Sequence, residues 1–535
     1  MSTFHVVVSD HLHAAGWELL EKAQDVSYSG PYECRDDVLK ALSQADALII
    51  RSTTVVDREL LEAAPQLKVV ARAGARLGNV DLDASTRRGV MVINVPDASL
   101  TAIAEHTFAM LLAMARSIPE GYMALRAGEW PRHDMLGFQL CGKTLGIVGY
   151  GRLGREVAAR ARAFGMQVLA YDPYIDLASA REQLVEVVNF SELLARAEIV
   201  ALLTELSPLT ENLMDAPAFA SMRPGAYFVN CAHACLVDEA ALLQALDTGI
   251  IAGAALDTFR QEPPTADDPL IRHPRVIAAP HLNQNTVESQ SITSSQVVED
   301  VLAALRGEDY RHVVNLPFTE TIPFQAVKPY VYLAIKLGKL QGQLAEGYIR
   351  RVEVELLGEG LRDLARPLAA VLLTGMLLPV NGQAPNWVSA PVMAYEQGIV
   401  TAQAKQLIRI TDYPNLIACR IYWEKPEGGF GHRTVAGVLF ANGEARLVQY
   451  DEFSVDAYPE GYVLVLENDD IPGVIAKISA RLGREQINIA QWRYGREAHG
   501  GRAVSFINLD SRVPKSILAE FENEPEIQHA RLVRL

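Results

Sequence analysis

The sequence predicts an α/β protein with two doubly wound parallel-sheet domains, followed by an α+β domain and a ferredoxin-like domain. Three observations lead to this prediction. Short β-branched apolar runs alternate with helical stretches before residue 300, as is typical of parallel sheets covered on both faces. This pattern restarts once, at "TLGIVGYG". The sequence pattern changes after "VVNLPF", where strands with an antiparallel character replace the alternation of strands and helices.

The first unit contains four runs that we predict to be buried parallel strands: "FHVVVSD", "ALIIRS", "LKVVARAG" and "VMVINVP". A long helix, "LTAIAEHTFAMLLAMARSI", follows them. The second unit repeats the pattern more regularly, in "TLGIVGYG", "QVLAYDPY", "IVALLTEL", "AYFVNCA", "IAGAALDTF" and "VIAAPHL". We predict a Rossmann-type domain inserted in a flavodoxin-like one.

The C-terminal half mixes helices with strands such as "RRVEVELLG" and "LIACRIYWE". Its longest apolar stretch, at 368–380, is too short to span a bilayer and is predicted to be a buried helix. The last part of the chain has two β-α-β halves, "GYVLVLEN" to "INIAQWRYG" and "AVSFINLD" to "ARLVRL", which is the ferredoxin-like order. The predicted domains are 1–98 with 285–316, 99–284, 317–455 and 456–535.

Composition limits the classes of partner. The 535 residues are too many for one core, and the net charge of -16 argues against nucleic acid or an anionic membrane surface as a partner. The five cysteines form no legible disulfide framework, which favours a reducing cytoplasm. The start of the chain has no basic region followed by an apolar core, so no signal peptide is expected.

The stretch "GIVGYGRLGREV" has G-x-G-x-x-G between a predicted strand and a predicted helix, at Gly149, Gly151 and Gly154. Such glycines allow a tight turn, close approach of a pyrophosphate and packing of the helix on the strand. The helix N-terminus supplies amide donors. Asp172 ends the next strand, where a carboxylate accepts from ribose hydroxyls and repels a 2′-phosphate. We therefore predict NAD as cofactor, in preference to NADP.

Glu262 in "RQEPP" and His281 in "APHLNQNT" each follow a strand of the same unit. Histidine is the usual acid/base at neutral pH, and a carboxylate partner orients it. A lone histidine is more often a surface or capping residue. The pair beside a cofactor fold instead indicates catalysis.

The stretch "FVNCAHACLVDE" places Cys231, His233 and Cys235 at alternate positions, which share a face in an extended strand. Two thiolates and an imidazole could ligate zinc. A zinc site needs a fourth ligand, and none follows at motif spacing. We therefore predict no metal here.

Longer segments resemble the D-isomer 2-hydroxyacid dehydrogenases, in particular their long-form 3-phosphoglycerate dehydrogenase branch. "GKTLGIVGYGRLGREVAARARAFGMQVLAYDPY", "EHTFAMLLAMAR", "ALDTFRQEPP" and "APHL" match the catalytic half. "NLIACRIYWE" and "VAGVLFANGEARLV" resemble the intervening domain of the long form, and "ENDDIPGVIAKI" with "INIAQW" resembles its ACT regulatory domain. The resemblance implies oxidation of a phosphorylated 2-hydroxy acid at the start of serine synthesis, in a homodimer or homotetramer.

The resemblance also implies roles for individual residues. His281 would donate the proton to the substrate oxygen with Glu262 as its partner, and Arg51 would lie at the acidic end of the substrate. The residues that would hold NAD are Gly149, Gly151, Arg152, Leu153, Gly154, Asp172, Thr204, Cys231, Ala232, His233 and Asp257.

Serine is the effector that the resemblance implies for the terminal domain. We expect Asn468 and Asp470, ahead of "IPG", and Asn488, on the following strand, to bind it, since a carboxylate and two amides can hold an ammonium and a carboxylate. In the alternative interpretation, Asp470 only shapes the turn.

The chain departs from the family pattern around the substrate. "NCAHAC" stands where the family has N-x-A-R-G-G, so His233 replaces the arginine that clamps the substrate carboxylate. Arg76 replaces a glycine and Gly78 an aspartate in "RAGARLGNVD", Ser99 and Ala102 replace asparagine and serine, and "LNQNT" replaces L-G-x-S-T. The residues expected to bind the nucleotide at the glycine turn keep the family pattern.

Two classes of function follow. The first is an active NAD-dependent dehydrogenase of 3-phosphoglycerate, in which Arg76 could supply the lost charge. The second is a weakened NAD- and amino-acid-binding regulator, and an intermediate version acts on another 2-hydroxy or 2-keto acid. Histidine cannot form the two-pronged bond of arginine, and we expect it to bind a carboxylate better when protonated, below pH 7. The retained Glu262 and His281 favour the enzyme.

Overall fold

A computed structural model describes residues 4–175, 177–316, 318, 323–378, 384–408 and 413–535. The chain divides into two compact units. Unit 1 comprises Met1–Leu12, Glu18–Asn94 and Val297–Leu535, and unit 2 comprises His13–Trp17 and Val95–Gln296. Among the described residues, no helix is both long and apolar enough to cross a membrane.

The N-terminal sheet of unit 1 is five-stranded and parallel, with the order β2-β1-β3-β4-β5. This is the flavodoxin-like order that the sequence predicts. The strands are β1 (Phe4–Val8), β2 (Val26–Ser29), β3 (Ala47–Ile50), β4 (Val69–Arg72) and β5 (Met91–Asn94). The intervening helices are α1 (Ala14–Lys22), α2 (Arg35–Ala41), α3 (Arg58–Ala63) and α4 (Leu82–Arg87), with a 3₁₀ turn at Leu42–Gln44. Strand β2 is an addition to the prediction, because this partly exposed edge strand has no apolar run.

Unit 2 begins with two helices, α5 (Leu100–Ala115) and α6 (Ile118–Arg126), where the sequence predicts one. The helix breaks because Ser117 has a left-handed backbone, with φ 47°. Helix α5 is buried along much of its length, whereas α6 has no buried residue.

The sheet of unit 2 has seven parallel strands in the order β12-β11-β10-β9-β6-β7-β8, a Rossmann-type order extended by one strand. Its strands are β6 (Thr144–Val148), β7 (Gln167–Tyr171), β8 (Glu186–Val187), β9 (Ile199–Leu202), β10 (Ala226–Asn230), β11 (Ile251–Leu256) and β12 (Val276–Ala278). Its helices are α7 (Arg152–Ala163), α8 (Leu177–Glu182), α9 (Phe190–Arg196), α10 (Ala216–Ala220), α11 (Glu239–Asp247) and α12 (Pro269–Arg272), with a 3₁₀ turn at Ala234–Leu236. The buried residues form two apolar cores.

Side-chain caps start several of these helices. Asp238 accepts hydrogen bonds from two amides in the first turn of α11, and Asn189, Asp215 and Asp268 cap α9, α10 and α12 in the same way. Such caps satisfy helix amides that have no partner within the helix, and each stabilises its helix by about 1 kcal/mol.

The remainder of the chain begins with α13 (Val287–Arg306), in which the boundary between the two units falls. A six-stranded sheet follows in the order β14-β13-β15-β16-β17-β18, and only the β13–β14 pair is parallel. The strands are β13 (Tyr348–Leu357), β14 (Val400–Gln403), β15 (Leu416–Glu424), β16 (Phe430–Leu439), β17 (Ala445–Tyr450) and β18 (Phe453–Ala457). The helices are α14 (Phe324–Leu344), α15 (Ala365–Met376) and α16 (Ala390–Glu396), with a 3₁₀ turn at Glu359–Leu364.

Helix α15 is the buried helix predicted at 368–380, and it ends at Met376. Residues 379 and 380 of that prediction lie outside the described residues, as does residue 317, where the third domain is predicted to begin. The four domain boundaries therefore stay predictions.

The C-terminal sheet is antiparallel, with the order β20-β21-β19-β22, and the ferredoxin-like prediction is confirmed. Its elements are β19 (Tyr462–Asp469), α17 (Val474–Arg484), β20 (Ile489–Arg496), β21 (Arg502–Leu509), α18 (Lys515–Glu522) and β22 (Ile527–Arg534). One face packs on α17 and α18, and residues of the other face join the core of the six-stranded sheet.

Candidate active site

The glycine turn between β6 and α7 has the geometry that a dinucleotide needs. Gly149 has φ 99°, and a Cβ there would lie 2.6 Å from the amide nitrogen of Thr204. A Cβ on Gly154 would lie 2.3 Å from the carbonyl oxygen of Gly149, so this glycine lets α7 pack on the turn. Gly151 faces open space, with no atom within 4 Å of a Cβ position. A pyrophosphate therefore fits against Gly151 at the N-terminus of α7.

Asp172 is held beside this turn. Its Oδ2 accepts from the amide of Tyr150 (2.9 Å), and its Oδ1 accepts from the amide of Tyr174 (2.8 Å). These bonds fix the carboxylate at the end of β7, where it can accept from a ribose hydroxyl. The place of Asp172 in the structure is the one that the sequence predicts.

Three further residues predicted to hold NAD surround the same turn. Arg152 is the first residue of α7, and its guanidinium pairs with Asp97 (2.7 Å). Leu153 packs against one core of the seven-stranded sheet. Thr204 follows β9, with its backbone against Gly149.

The two residues predicted to form the acid/base pair are hydrogen-bonded to each other. His281 donates from Nδ1 to Glu262 Oε2 over 2.7 Å, and both side chains are partly exposed. Glu262 is itself held by the amide of Phe259, which donates to Oε1 (3.1 Å). Because Nδ1 carries the proton shared with the carboxylate, Nε2 is the nitrogen left for a substrate. His281 has φ 53°, a strained backbone that is frequent at functional sites.

Asp257, which is predicted to contact NAD, is fully buried. Its Oδ1 accepts from His106 Nε2 (2.9 Å) and the amide of Leu282 (2.8 Å), and its Oδ2 accepts from the amide of Asn283 (3.0 Å). A buried carboxylate requires such donors, because burial of an unpaired charge is costly. The structure therefore gives Asp257 the role of anchoring the loop that carries His281.

The segment from Cys231 to Cys235 is not the extended strand that its alternation suggests. Strand β10 ends at Asn230, and Ala234–Leu236 form a 3₁₀ turn, so the three side chains do not share a strand face. Burial raises the pKa of Cys231 to about 12, so this group is a thiol at neutral pH. Among the described residues there is no group of three His, Cys, Asp or Glu side chains placed to hold a metal ion.

His233 caps this 3₁₀ turn. Its Nδ1 accepts from the amide of Cys235 over 3.1 Å, which places the proton of the neutral imidazole on Nε2. A proton on Nδ1 would face the Cys235 donor. In this geometry Nε2 is the nitrogen of His233 that is left to donate to a ligand.

Unit 1 has its own cluster of charged groups at the carboxyl ends of β1, β3 and β4. The backbone of Arg51 donates to Asp10 Oδ2 (2.5 Å), and Asn79 joins Arg51 to Arg72 by donating to the Arg51 carbonyl (2.7 Å) and accepting from Arg72 Nε (3.0 Å). Burial, together with the positive charges of Arg76 and Arg51, lowers the pKa of Arg72. Three guanidiniums this close indicate an anion site.

The three residues predicted to bind an effector do not meet within one chain. Asp470 is bonded to the Tyr494 hydroxyl (3.0 Å) and the Gly500 amide (3.2 Å), and these bonds lower the pKa of its carboxyl group. Asn488 lies just before β20, not on it, and donates to Asp510 (2.6 Å), at the opposite end of β21. The length of β21 is about 25 Å, at ~3.3 Å per residue. Asn468 is fully buried, so its side chain does not face a ligand.

Comparison with known proteins decides the family. The model of the "D-isomer specific 2-hydroxyacid dehydrogenase, NAD binding domain" matches residues 108–283, and that of the "D-3-phosphoglycerate dehydrogenase intervening domain" matches residues 326–451. The D-3-phosphoglycerate dehydrogenase of Methanocaldococcus jannaschii is 35% identical, over 99% of this chain and 99% of its own length. That of Bacillus subtilis is also 35% identical, over 99% of this chain and 100% of its own.

The chain belongs to the D-3-phosphoglycerate dehydrogenase family. It is an NAD-dependent dehydrogenase that acts on small hydroxy acids, as predicted. Among solved structures, the TT0316 protein of Thermus thermophilus is 33% identical with a TM-score of 0.53, and the match covers 58% of this chain and 100% of that one. A glyoxylate reductase from Paecilomyes thermophila is 31% identical with a TM-score of 0.52, covering 57% and 96%.

The structure adds Arg72 to the arginine cluster of unit 1, and it adds His106 and Asn283 to the groups around Asp257 in unit 2. Arg72 ends a strand, next to the predicted Arg76, and this position is a signal that the sequence contains. The partner of His106 is 151 residues away in the sequence, so no local pattern could have identified it.

We expect Asp172→Ala to lower the preference of this dehydrogenase for NAD over NADP by roughly tenfold or more, because an ionic hydrogen bond to ribose is lost and the repulsion of a 2′-phosphate is removed. Asp172→Asn is the matched variant, since it removes the charge and keeps one of the two acceptors for the Tyr150 and Tyr174 amides. Fluorescence titration of both nucleotides measures the effect. Equal affinities of the wild type for NAD and NADP would contradict this role.

We expect Glu262→Gln to reduce kcat by roughly 10²–10⁴-fold, because His281 loses the carboxylate that orients its ring and stabilises its protonated form. Affinity for NAD should not change. Glu239→Gln is the control, because Glu239 accepts from the Arg260 amide of the same turn. Equal losses in the two variants would show that Glu262 acts only on the fold of the turn.

Proposed function

We propose that this enzyme oxidises 3-phosphoglycerate to 3-phosphohydroxypyruvate with NAD, the reaction that begins serine synthesis. The observation that carries the proposal is the Glu262–His281 pair on the sheet that also holds the glycine turn. Similarity over nearly the whole chain to proteins named D-3-phosphoglycerate dehydrogenase supports this substrate.

His281 is the proposed acid/base. The nicotinamide of NAD supplies the hydride acceptor, and the accompanying proton leaves the 2-hydroxyl group of the substrate for His281 Nε2. Glu262, bonded to Nδ1, stabilises the imidazolium that results. In the reverse direction the same nitrogen protonates the carbonyl oxygen.

The cluster of Arg51, Arg72 and Arg76 in unit 1 is proposed to bind an anionic group. Guanidiniums form paired, charge-assisted hydrogen bonds with phosphate oxygens. The carboxylate of Asp10 in this cluster accepts from the amide of Arg51 and the hydroxyl of Thr54 (2.7 Å). Since one carboxylate accompanies the guanidiniums of Arg51, Arg72 and Arg76, the cluster has an excess of positive charge in a chain whose net charge is -16.

A second candidate function is reduction of a different 2-keto acid. The observation that favours it is the cap made by His233 Nδ1, which leaves one imidazole donor where the resemblance expects the two-pronged guanidinium of arginine. A substrate that depends less on a charged clamp would then be preferred. A regulator that binds NAD but has lost efficient turnover is the extreme form of the same alternative.

A panel of 2-hydroxy and 2-keto acids, assayed with NAD and NADH for the wild type and His233→Arg, tests the proposal. We expect measurable but slow turnover of 3-phosphoglycerate by the wild type. His233→Arg should raise kcat/KM tenfold to over a hundredfold, because a charged hydrogen bond contributes about 1.5–3 kcal/mol.

His529→Arg is the control for added charge, since His529 is half-exposed on β22. Rapid turnover of 3-phosphoglycerate by the wild type, with no gain in His233→Arg, would contradict the role of His233. Faster turnover of another acid than of 3-phosphoglycerate would favour the second candidate.

We also propose that the C-terminal domain binds serine through Asp470, whose carboxylate would hold the ammonium group. Since Asn488 lies at the far end of the sheet, the two residues would meet only between two copies of the chain, as in a homodimer or homotetramer. The sparse, unpaired cysteines support a cytoplasmic location.

Calorimetry of the full chain with serine and with glycine measures this binding. We expect Asp470→Asn to weaken serine binding about tenfold, through the loss of one charged hydrogen bond. Asp469→Asn, a change to the neighbouring carboxylate, is the control. Absence of heat from either amino acid would leave Asp470 as a residue that shapes the turn.

A further inference from the structure

Asn283 lies two residues after His281 and is 2% exposed. It occupies the position at which the related pattern L-G-x-S-T has glycine. Its amide nitrogen donates to Asp257 Oδ2 (3.0 Å), and its side-chain Nδ2 donates to the carbonyl oxygen of Cys231 (2.7 Å). A glycine could make only the first of these bonds.

The side-chain bond joins two functional loops. Cys231 begins the loop that carries His233, immediately after β10, and Asn283 belongs to the loop that carries His281, after β12. Strand β11, which ends just before Asp257, lies between them in the sheet. Asn283 thus connects the carboxyl ends of three neighbouring strands.

Two bonds within the His233 loop are short-range. The amide of Ala232 donates to Asn230 Oδ1 (3.0 Å), and Asn230 Nδ2 donates to the carbonyl oxygen of His233 (3.0 Å). Backbone bonds join Asn230 to Asp257 and Asp257 to His281 at the strand ends. The side-chain bond from Asn283 adds a direct link between the loop itself and the segment that carries His281.

The side-chain amide of Asn283 is only partly hydrogen-bonded. Its Oδ1 is buried and has no hydrogen-bond partner among the described residues. A buried acceptor without a partner costs free energy. The bond from Nδ2 to the carbonyl oxygen of Cys231 is therefore the part of this side chain for which we infer a function.

We propose that Asn283 is a positioning residue that holds the His233 loop at a set distance from His281, so that both imidazoles engage one 2-keto or 2-hydroxy acid. The proposal rests on the proposed function, because it takes His233 as a donor to the substrate carboxylate. It also goes beyond the proposed function, since it makes the contact of His233 with the substrate depend on Asn283. His233→Arg should then gain less alone than together with Asn283→Gly, which frees the loop for the longer side chain.

A double-mutant cycle between Asn283→Ala and His233→Ala tests the pairing. Binding of oxamate, an isostere of 2-keto acids, to the enzyme–NADH complex is followed by NADH fluorescence, and KM and kcat are measured with the best substrate of the panel. We expect Asn283→Ala to weaken oxamate binding and raise KM about tenfold in the wild type, and by less than about twofold in the His233→Ala background.

Asn285→Ala is the matched control, because Asn285 has the same side chain in the same loop, is exposed and accepts at Oδ1 from Gln290 (2.6 Å). We expect it to leave both constants unchanged. Asn283→Gly replaces Asn283→Ala if thermal unfolding shows that the alanine variant does not fold.

Equal losses in the two backgrounds, or no loss in either, would overturn the proposal. A loss of NADH affinity that accounts for the whole effect would also overturn it, because Asn283 would then act on the cofactor alone. Failure of the proposed substrate is a separate result: it appears as absence of 3-phosphoglycerate turnover in the wild type, and the cycle can still be measured with another accepted acid.

Discussion

Parallel strands of one sheet all end at the same edge, and this constraint determines where the functional groups of both units lie. In unit 2 the ends of six neighbouring strands bring together segments that are far apart in the sequence. The residues at or just beyond these ends are Gly149, Asp172, Thr204, Cys231, Asp257 and His281. In unit 1 the same rule places Asp10, Arg51 and Arg72 together. Changes in the loops beyond these ends therefore alter the chemistry without altering the sheet.

The buried carboxylate of Asp257 makes this arrangement rigid in unit 2. Taking a carboxylate out of water costs several kcal/mol unless hydrogen bonds compensate, so the charge requires its donors to stay in place. Those donors come from α5, through His106, and from the backbone of Leu282 and Asn283. The left-handed backbone of His281, a strain of about 1–3 kcal/mol, is thereby held next to Glu262. Catalytic geometry here depends on a residue that is itself inaccessible.

The glycine turn and the loops that carry His233 and His281 are each held by their own contacts. The glycine turn has its close backbone contacts, and Asp172 has two amide donors. The loops of His233 and His281 are bonded to each other through Asn283 and the carbonyl oxygen of Cys231. Ser99, which precedes α5, accepts a hydrogen bond from Ser289 (3.0 Å). Each loop beyond the strand ends is thus joined to at least one other segment of unit 2.

The sequence by itself determined the fold class and the cofactor, and it predicted the pairing of Glu262 with His281. Apolar periodicity and turn residues are local, the glycine turn and Asp172 lie within one β-α-β unit, and Glu262 and His281 follow neighbouring strands. Tertiary structure alone decided the burial of Asp257, the orientation of His233, the link from Asn283 to Cys231 and the separation of Asp470 from Asn488. Each depends on contacts between segments distant in the sequence or on the backbone of a single turn. Packing determines such contacts, and they cannot be predicted from side-chain periodicity.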